Sequence, residues 1–183
     1  YVPLVLFGSC AADGQFFKKP DARDLATIEE ADRIASATRA DHPGHFAVPA
    51  GPKSRDLKAH GITSFRELFT GRQLLYVHAA RDCMETLPEK DRLWVALLVS
   101  TSLEFNCLLC GYKGAHKRRP GAIRHVFSHH AYSFPYTALE NNPLFSGATS
   151  GTLERLFRDR VLKAGRWAAA PVERRLRAGR FSK

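Results

Sequence analysis

Between Lys113 and Arg124 the chain carries five lysines and arginines and no acid, threaded through Gly111, Gly114 and Pro120-Gly121. Glycine-freed backbone beside long cations lets main-chain N–H groups and side chains reach one phosphate from the same side. Lys113, Lys117, Arg118, Arg119, Arg124 and His125 are therefore the candidate phosphate contacts. Tyr112, Phe127, Tyr132, Phe134 and Tyr136 alternate with these charges; such rings stack on an unpaired base or, equally, pack a core. His125, His129 and His130 include an i, i+4 pair that would share one helical face. With no acidic or cysteine ligand among them, they read as hydrogen-bonding or phosphate-side histidines, and no metal site is assigned. Cys107 and Cys110 have C-x-x-C spacing, but they close an apolar helix and lack a second pair, so buried free thiols are the expectation. Asn106, at the same helix end, is expected to hydrogen-bond to the neighbouring loop.

The elements that must position these residues are mostly helical. Pro20-Asp21 opens a helix to about Arg39, with Asp21 as N-cap and Leu25, Ile28, Ala31, Ile34 and Ala35 on one face. Ser64 with Glu67 and Thr70 with Gln73 form two capping boxes, the first ahead of a short turn and the second ahead of a helix from Arg72 to about Thr86. From Glu89 the run DRLWVALLVSTSLEFNCLLC is the most hydrophobic in the protein and reads as the central core helix. Thr152 or Ser150 caps a last helix ending at Gly165, beyond which 171–183 is an exposed basic strip, helical to Arg177. Val2–Phe7 and Gln15–Lys18 form an N-terminal hairpin, with Cys10 as a small buried residue in its turn. Residues 41–54, containing His42, His45, three prolines and two glycines, are a connector. The fold expected is mainly α, a helical domain with a short β-hairpin (α+β). Residues 1–54 form an N-terminal unit, and 55–183 a helical domain with a basic glycine-rich loop at 111–124 and a basic C-terminal helix.

Composition sets the outer limits. The 183 residues are 44% apolar and 25% charged, as in a globular protein, with a net charge of +10. That charge is local: Lys113–Arg124 and 155–183 together carry +13, leaving −3 on the rest. Two concentrated basic segments on a mildly acidic body suit a polyanion surface; the bland alternative is a solvated loop and tail. No apolar run is long enough for a membrane span, and four cysteines are too few and too spread for a disulfide scaffold, so a cytoplasmic location without membrane contact is expected. A chain that opens in mid-strand without an initiator methionine and stops on a basic tail reads as a piece of a longer polypeptide.

Three blocks in order, G-I-T-S-F-R-E-L-F-T-G-R-Q-L-L (Gly61–Leu75), S-L-E-F-N (Ser102–Asn106) and C-G-Y-K-G-A-H-K-R-R-P-G-A-I-R-H-V-F-S-H-H-A-Y-S-F-P-Y-T-A-L-E-N-N-P (Cys110–Pro143), resemble the middle of prokaryotic adenine-specific DNA methylases, the group often carrying a zinc ribbon. The resemblance implies a fragment of a larger Rossmann-like methyltransferase that uses S-adenosylmethionine on a flipped adenine. The cofactor motif would lie upstream and the catalytic D-P-P-Y motif downstream. Asn142-Pro143-Leu144-Phe145 has one proline where that motif has two, so no catalytic residue is carried over and the chain alone is expected to be inactive. The implied partners are duplex DNA and the remainder of the parent enzyme, in restriction-modification or phage defence. The rivals are a stand-alone basic nucleic-acid-binding module and a scaffold segment docking an acidic protein.

Overall fold

The computed structural model describes residues 2–12, 14–38, 46–113, 123–128, 132–145, 150–172, 175–177 and 180–182, the last two segments as backbone. The architecture is mainly helical, with a short N-terminal antiparallel hairpin of β1 (Leu6–Cys10) and β2 (Gly14–Lys18). Cys10 pairs with Gly14 at the hairpin end and is exposed, not buried as its small size suggested.

Helix α1 (Ala22–Ala37) begins where the sequence places it. The Asp21 carboxylate accepts the N–H groups of Arg23 and Asp24, and Asp24 returns the bond to the Asp21 N–H. Ile28, Ala31 and Ala35 are buried, while Leu25 and Ile34 are partly open. A 3-10 turn (Pro52–Ser54) leads into α2 (Arg55–Ala59), a five-residue helix too short to announce itself by periodicity; its Leu57 is wholly buried. Both predicted capping boxes form, Ser64/Glu67 on a 3-10 turn (Phe65–Leu68) and Thr70/Gln73 on α3 (Gly71–Glu85). Helices α1 and α3 cross at Gly71, whose N–H donates to the Asp32 carboxylate at 2.9 Å. A Cβ there would lie 2.7 Å from the Asp32 Cα, so only glycine permits this approach.

Helix α4 (Glu89–Ser102) departs most from expectation. It stops at Ser102, tightens into a 3-10 turn (Leu103–Phe105), and leaves Leu93, Trp94 and Leu97 exposed along its N-terminal half. The Ser102 hydroxyl turns back onto the Val99 carbonyl at 2.6 Å, a local bond that competes with helix continuation. The core lies beyond the helix: Val48, Leu57, Leu68, Phe105, Cys107, Leu109, Cys110, Ile123 and Leu156 form one cluster. A second two-stranded ladder, β3 (Gly111–Tyr112) with β4 (Ile123–Arg124), sits against this cluster.

The C-terminal helical run comprises α5 (Leu153–Leu156), a π-helical stretch (Phe157–Val161) and α6 (Leu162–Ala169), so it passes through Gly165 and does not end there. Phe157, expected inward, is exposed, because the wider π turn shifts the side chains out of α-helical register. Thr152 occupies the N-cap position without a side-chain cap bond. Residues 175–177, expected as helix, form β5 (Arg175–Arg177) antiparallel to β6 (Arg180–Ser182); Pro171 cannot donate the backbone bond that a continuing helix needs.

Candidate nucleic-acid interface

The basic loop is held at its two ends by main-chain bonds. Gly111 pairs with Arg124 and Tyr112 with Ile123, and a bridge from Gly111 to Ala138 adds a third segment. The Leu139 N–H donates to the Cys110 carbonyl at 2.8 Å, and the Tyr112 N–H to Thr137 at 3.3 Å. Strand alternation then sorts the side chains: Ile123 enters the core while Arg124 is exposed, and Lys113 is exposed at the opposite end. The Ala138–Glu140 side of this junction is tied to α3 by a bidentate pair. Arg72 donates from Nε and Nη2 to the Glu140 carboxylate, both at 2.8 Å, with Glu140 only 9% exposed.

Glu104, on the 3-10 turn after α4, joins the loop to the C-terminal run. One carboxylate oxygen accepts from Arg160 Nη1 at 3.0 Å; the other lies 3.0 Å from His125 Nδ1, beside the foot of the loop. The Phe105 ring lies beneath both cations, its centroid 5.7 Å from the His125 ring and 5.7 Å from the Arg160 guanidinium carbon, within cation–π range for Arg160. Arg160 stands in the π turn, and the run that carries it starts from a fixed point. Asn106 Nδ2 donates to the carbonyls of Ser102 (2.7 Å) and Gly151 (3.4 Å), Asn141 Nδ2 to Ser150, and the Leu153 N–H to Pro143. Asn106 thus plays the structural part expected of it.

The predicted contacts divide accordingly. Lys113 and Arg124 are exposed at the two ends of the loop, and His125 is half-buried against Glu104. Lys117, Arg118 and Arg119 lie outside the described residues, as do His42, His45, His129 and His130. Tyr112, Phe127 and Tyr136 are exposed and free to meet a flat ligand. Tyr132 and Phe134 instead pack on the core, Phe134 stacked on His60 at 4.0 Å. The basic face of the C-terminal run is substantially neutralised: Arg158 pairs with Glu154, and Arg155 and Lys163 both pair with Asp159.

Cys107 and Cys110 are buried free thiols with their sulfurs 3.8 Å apart. The Cys110 thiol holds Cys107 below the usual thiol range, and this contact together with burial pushes Cys110 up. No group of three or more metal-ligating side chains converges among the described residues. A cavity of about 300 Å³ between α1 and α3 is lined by Asp32, Thr70, Gly71 and Arg72, among others. Asp32 is held by the Gly71 N–H and Arg72 by Glu140, so its polar wall is engaged in framework contacts.

Sequence reasoning found both ends of the loop and missed Glu104 and Arg160 as its neighbours; the S-L-E-F-N block was the available signal. No family model, curated protein or solved structure matches the chain.

Proposed function

We propose that this chain is the DNA-facing helical segment of an S-adenosylmethionine-dependent adenine DNA methyltransferase of the restriction-modification or phage-defence kind. The observation that carries the reading is the meeting of the two basic segments on Glu104, where Arg160 from the C-terminal run and His125 from the foot of the glycine-rich loop approach one carboxylate. Cations far apart in sequence are thereby gathered on one side of the Phe105 ring, the arrangement a polyanion groove requires.

The chain's role in this reading is to bind and orient. Lys113 and Arg124, with Lys117, Arg118 and Arg119 between them, contact phosphates, and the exposed Tyr112, Phe127 and Tyr136 offer rings to a base removed from the stack. The residues described do not fit the cofactor: β1 returns antiparallel through β2 before α1 begins, without the strand, glycine turn and helix that cradle an adenosine-bearing group. S-adenosylmethionine and the chemistry of methyl transfer therefore belong to the rest of the parent enzyme.

The test is duplex-DNA binding by the purified chain across a salt series. Log affinity is expected to fall against log salt with a slope of roughly 0.9 per phosphate neutralised. Replacing Lys117, Arg118 and Arg119 together by alanine is expected to reduce that slope and weaken binding. Absence of binding at low salt, or binding unchanged by the triple substitution, overturns the reading.

A further inference from the structure

Glu104 faces two cations with one charge. Arg160 Nη1 occupies Oε2, and Oε1 lies against His125 Nδ1. That second contact is off the line of the ring N–H: Nδ1 is shut from solvent and makes no directed hydrogen bond, although the oxygen is 3.0 Å away. A neutral imidazole gains little from such a placement, whereas an imidazolium gains the ionic attraction whatever the angle. The His125 side chain is still 34% exposed, and with Nδ1 covered, Nε2 is the ring nitrogen left for a ligand. The groups facing it are Glu104 and the Phe105 ring from the 3-10 turn, Arg160 from the π turn through the shared carboxylate, and Arg124 as its exposed chain neighbour. With His125 protonated, Glu104, Arg160 and His125 sum to one positive charge, which one phosphodiester balances.

We propose that Glu104 is a positioning residue that holds His125 as an imidazolium and presents its Nε2–H to a phosphodiester, making DNA binding at this face dependent on protonation. This rests on the DNA-facing reading above and adds a named residue pair and a pH response to it. The sign follows from linkage: the phosphate favours the protonated ring, so the added affinity is present at low pH and is lost as pH rises through the imidazole range.

The experiment is fluorescence anisotropy of a labelled 20-base-pair duplex with the full chain between pH 5.5 and 8.5, for the wild type, His125→Gln and Glu104→Gln, alongside NMR titration of the His125 ring in the free chain. A hydrogen bond to a charged group predicts affinity about tenfold higher at the acid end for the wild type. His125→Gln is expected to give a flat profile at the wild-type's alkaline affinity, and Glu104→Gln to move both the binding midpoint and the ring titration to lower pH. Because the ring titration reads Glu104 without DNA and His125→Gln alters a half-exposed side chain, poor folding of Glu104→Gln does not hide the answer. A wild-type profile that superimposes on that of His125→Gln overturns the proposal and leaves the DNA-facing reading standing. An unmoved ring titration in Glu104→Gln overturns the positioning role. Loss of all binding at every pH in every variant overturns both.

Discussion

Replacing Gly151 by alanine tests the packing that fixes the Glu104 cluster. Gly151 is buried with φ +84°, and a Cβ at this position would collide with the Phe105 Cβ, lie 2.6 Å from its Cγ and 2.9 Å from Asn141 Nδ2. An L-residue in the left-handed region costs about 1–2 kcal/mol, and overpacking a filled site adds about 1–3 kcal/mol. The Phe105 Cβ is fixed to the backbone, so relief requires main-chain movement, and the sum is about 2–5 kcal/mol. At roughly 2–4 °C per kcal/mol for a domain of this size, the melting temperature falls by roughly 4–20 °C. The internal control is Gly165→Ala in α6, where a Cβ meets nothing within 4 Å; there the gain in helix propensity stabilises by roughly 0.5–1 kcal/mol. Urea unfolding followed by circular dichroism reads both variants. A Gly151→Ala variant within about 1 kcal/mol of wild type, or a Gly165→Ala variant destabilised to the same degree, refutes the assignment of Gly151 as the close-approach point beneath Phe105.

Arg72→Met should destabilise by about 2–3 kcal/mol, since it leaves the nearly buried Glu140 carboxylate without its bidentate partner; Arg72→Met with Glu140→Gln should recover much of that loss in the same unfolding assay. Asp21 is held down to about 2 by the Asp24 N–H and then by the Lys18 ammonium. Its unfolded value is about 3.9, so its contribution to stability is complete above that pH and lost as pH falls toward the folded value. Asp21→Asn should flatten this part of an acid-unfolding curve. A thiol reagent should modify the exposed Cys10 and Cys83 promptly in the native protein and reach the buried Cys107 and Cys110 only with unfolding; immediate reaction of all four would contradict the packing around Cys110.

Features whose partners lie within one turn were legible in the sequence. The Asp21, Ser64 and Thr70 caps and the fate of Asn106 involve side chains reaching neighbouring backbone, and each formed as read. Contacts across long sequence separations were not legible: Asp32 to Gly71, Arg72 to Glu140 and Glu104 to Arg160 span 39, 68 and 56 residues. Periodicity shows that α4 is apolar but not which of its faces is covered, and the open Leu93, Trp94 and Leu97 result from tertiary placement. The π turn is equally silent in composition, yet it carries Arg160. Of the candidate interface, the exposed positions of Lys113 and Arg124 followed from strand alternation beside a turn, while the acid between the two basic segments emerged only from the fold.

The pairing of Tyr112 with Ile123 has a further consequence. Everything between those two residues is suspended from a two-rung ladder whose inner side is sealed by Gly111, Cys110 and Ile123, so the intervening ten-odd positions can change length or content at little thermodynamic expense to the scaffold. Doubling such a connection costs only about 0.6 kcal/mol in closure entropy. The same body can therefore host reading heads of different size and selectivity, diversifying what is touched without relearning how to fold.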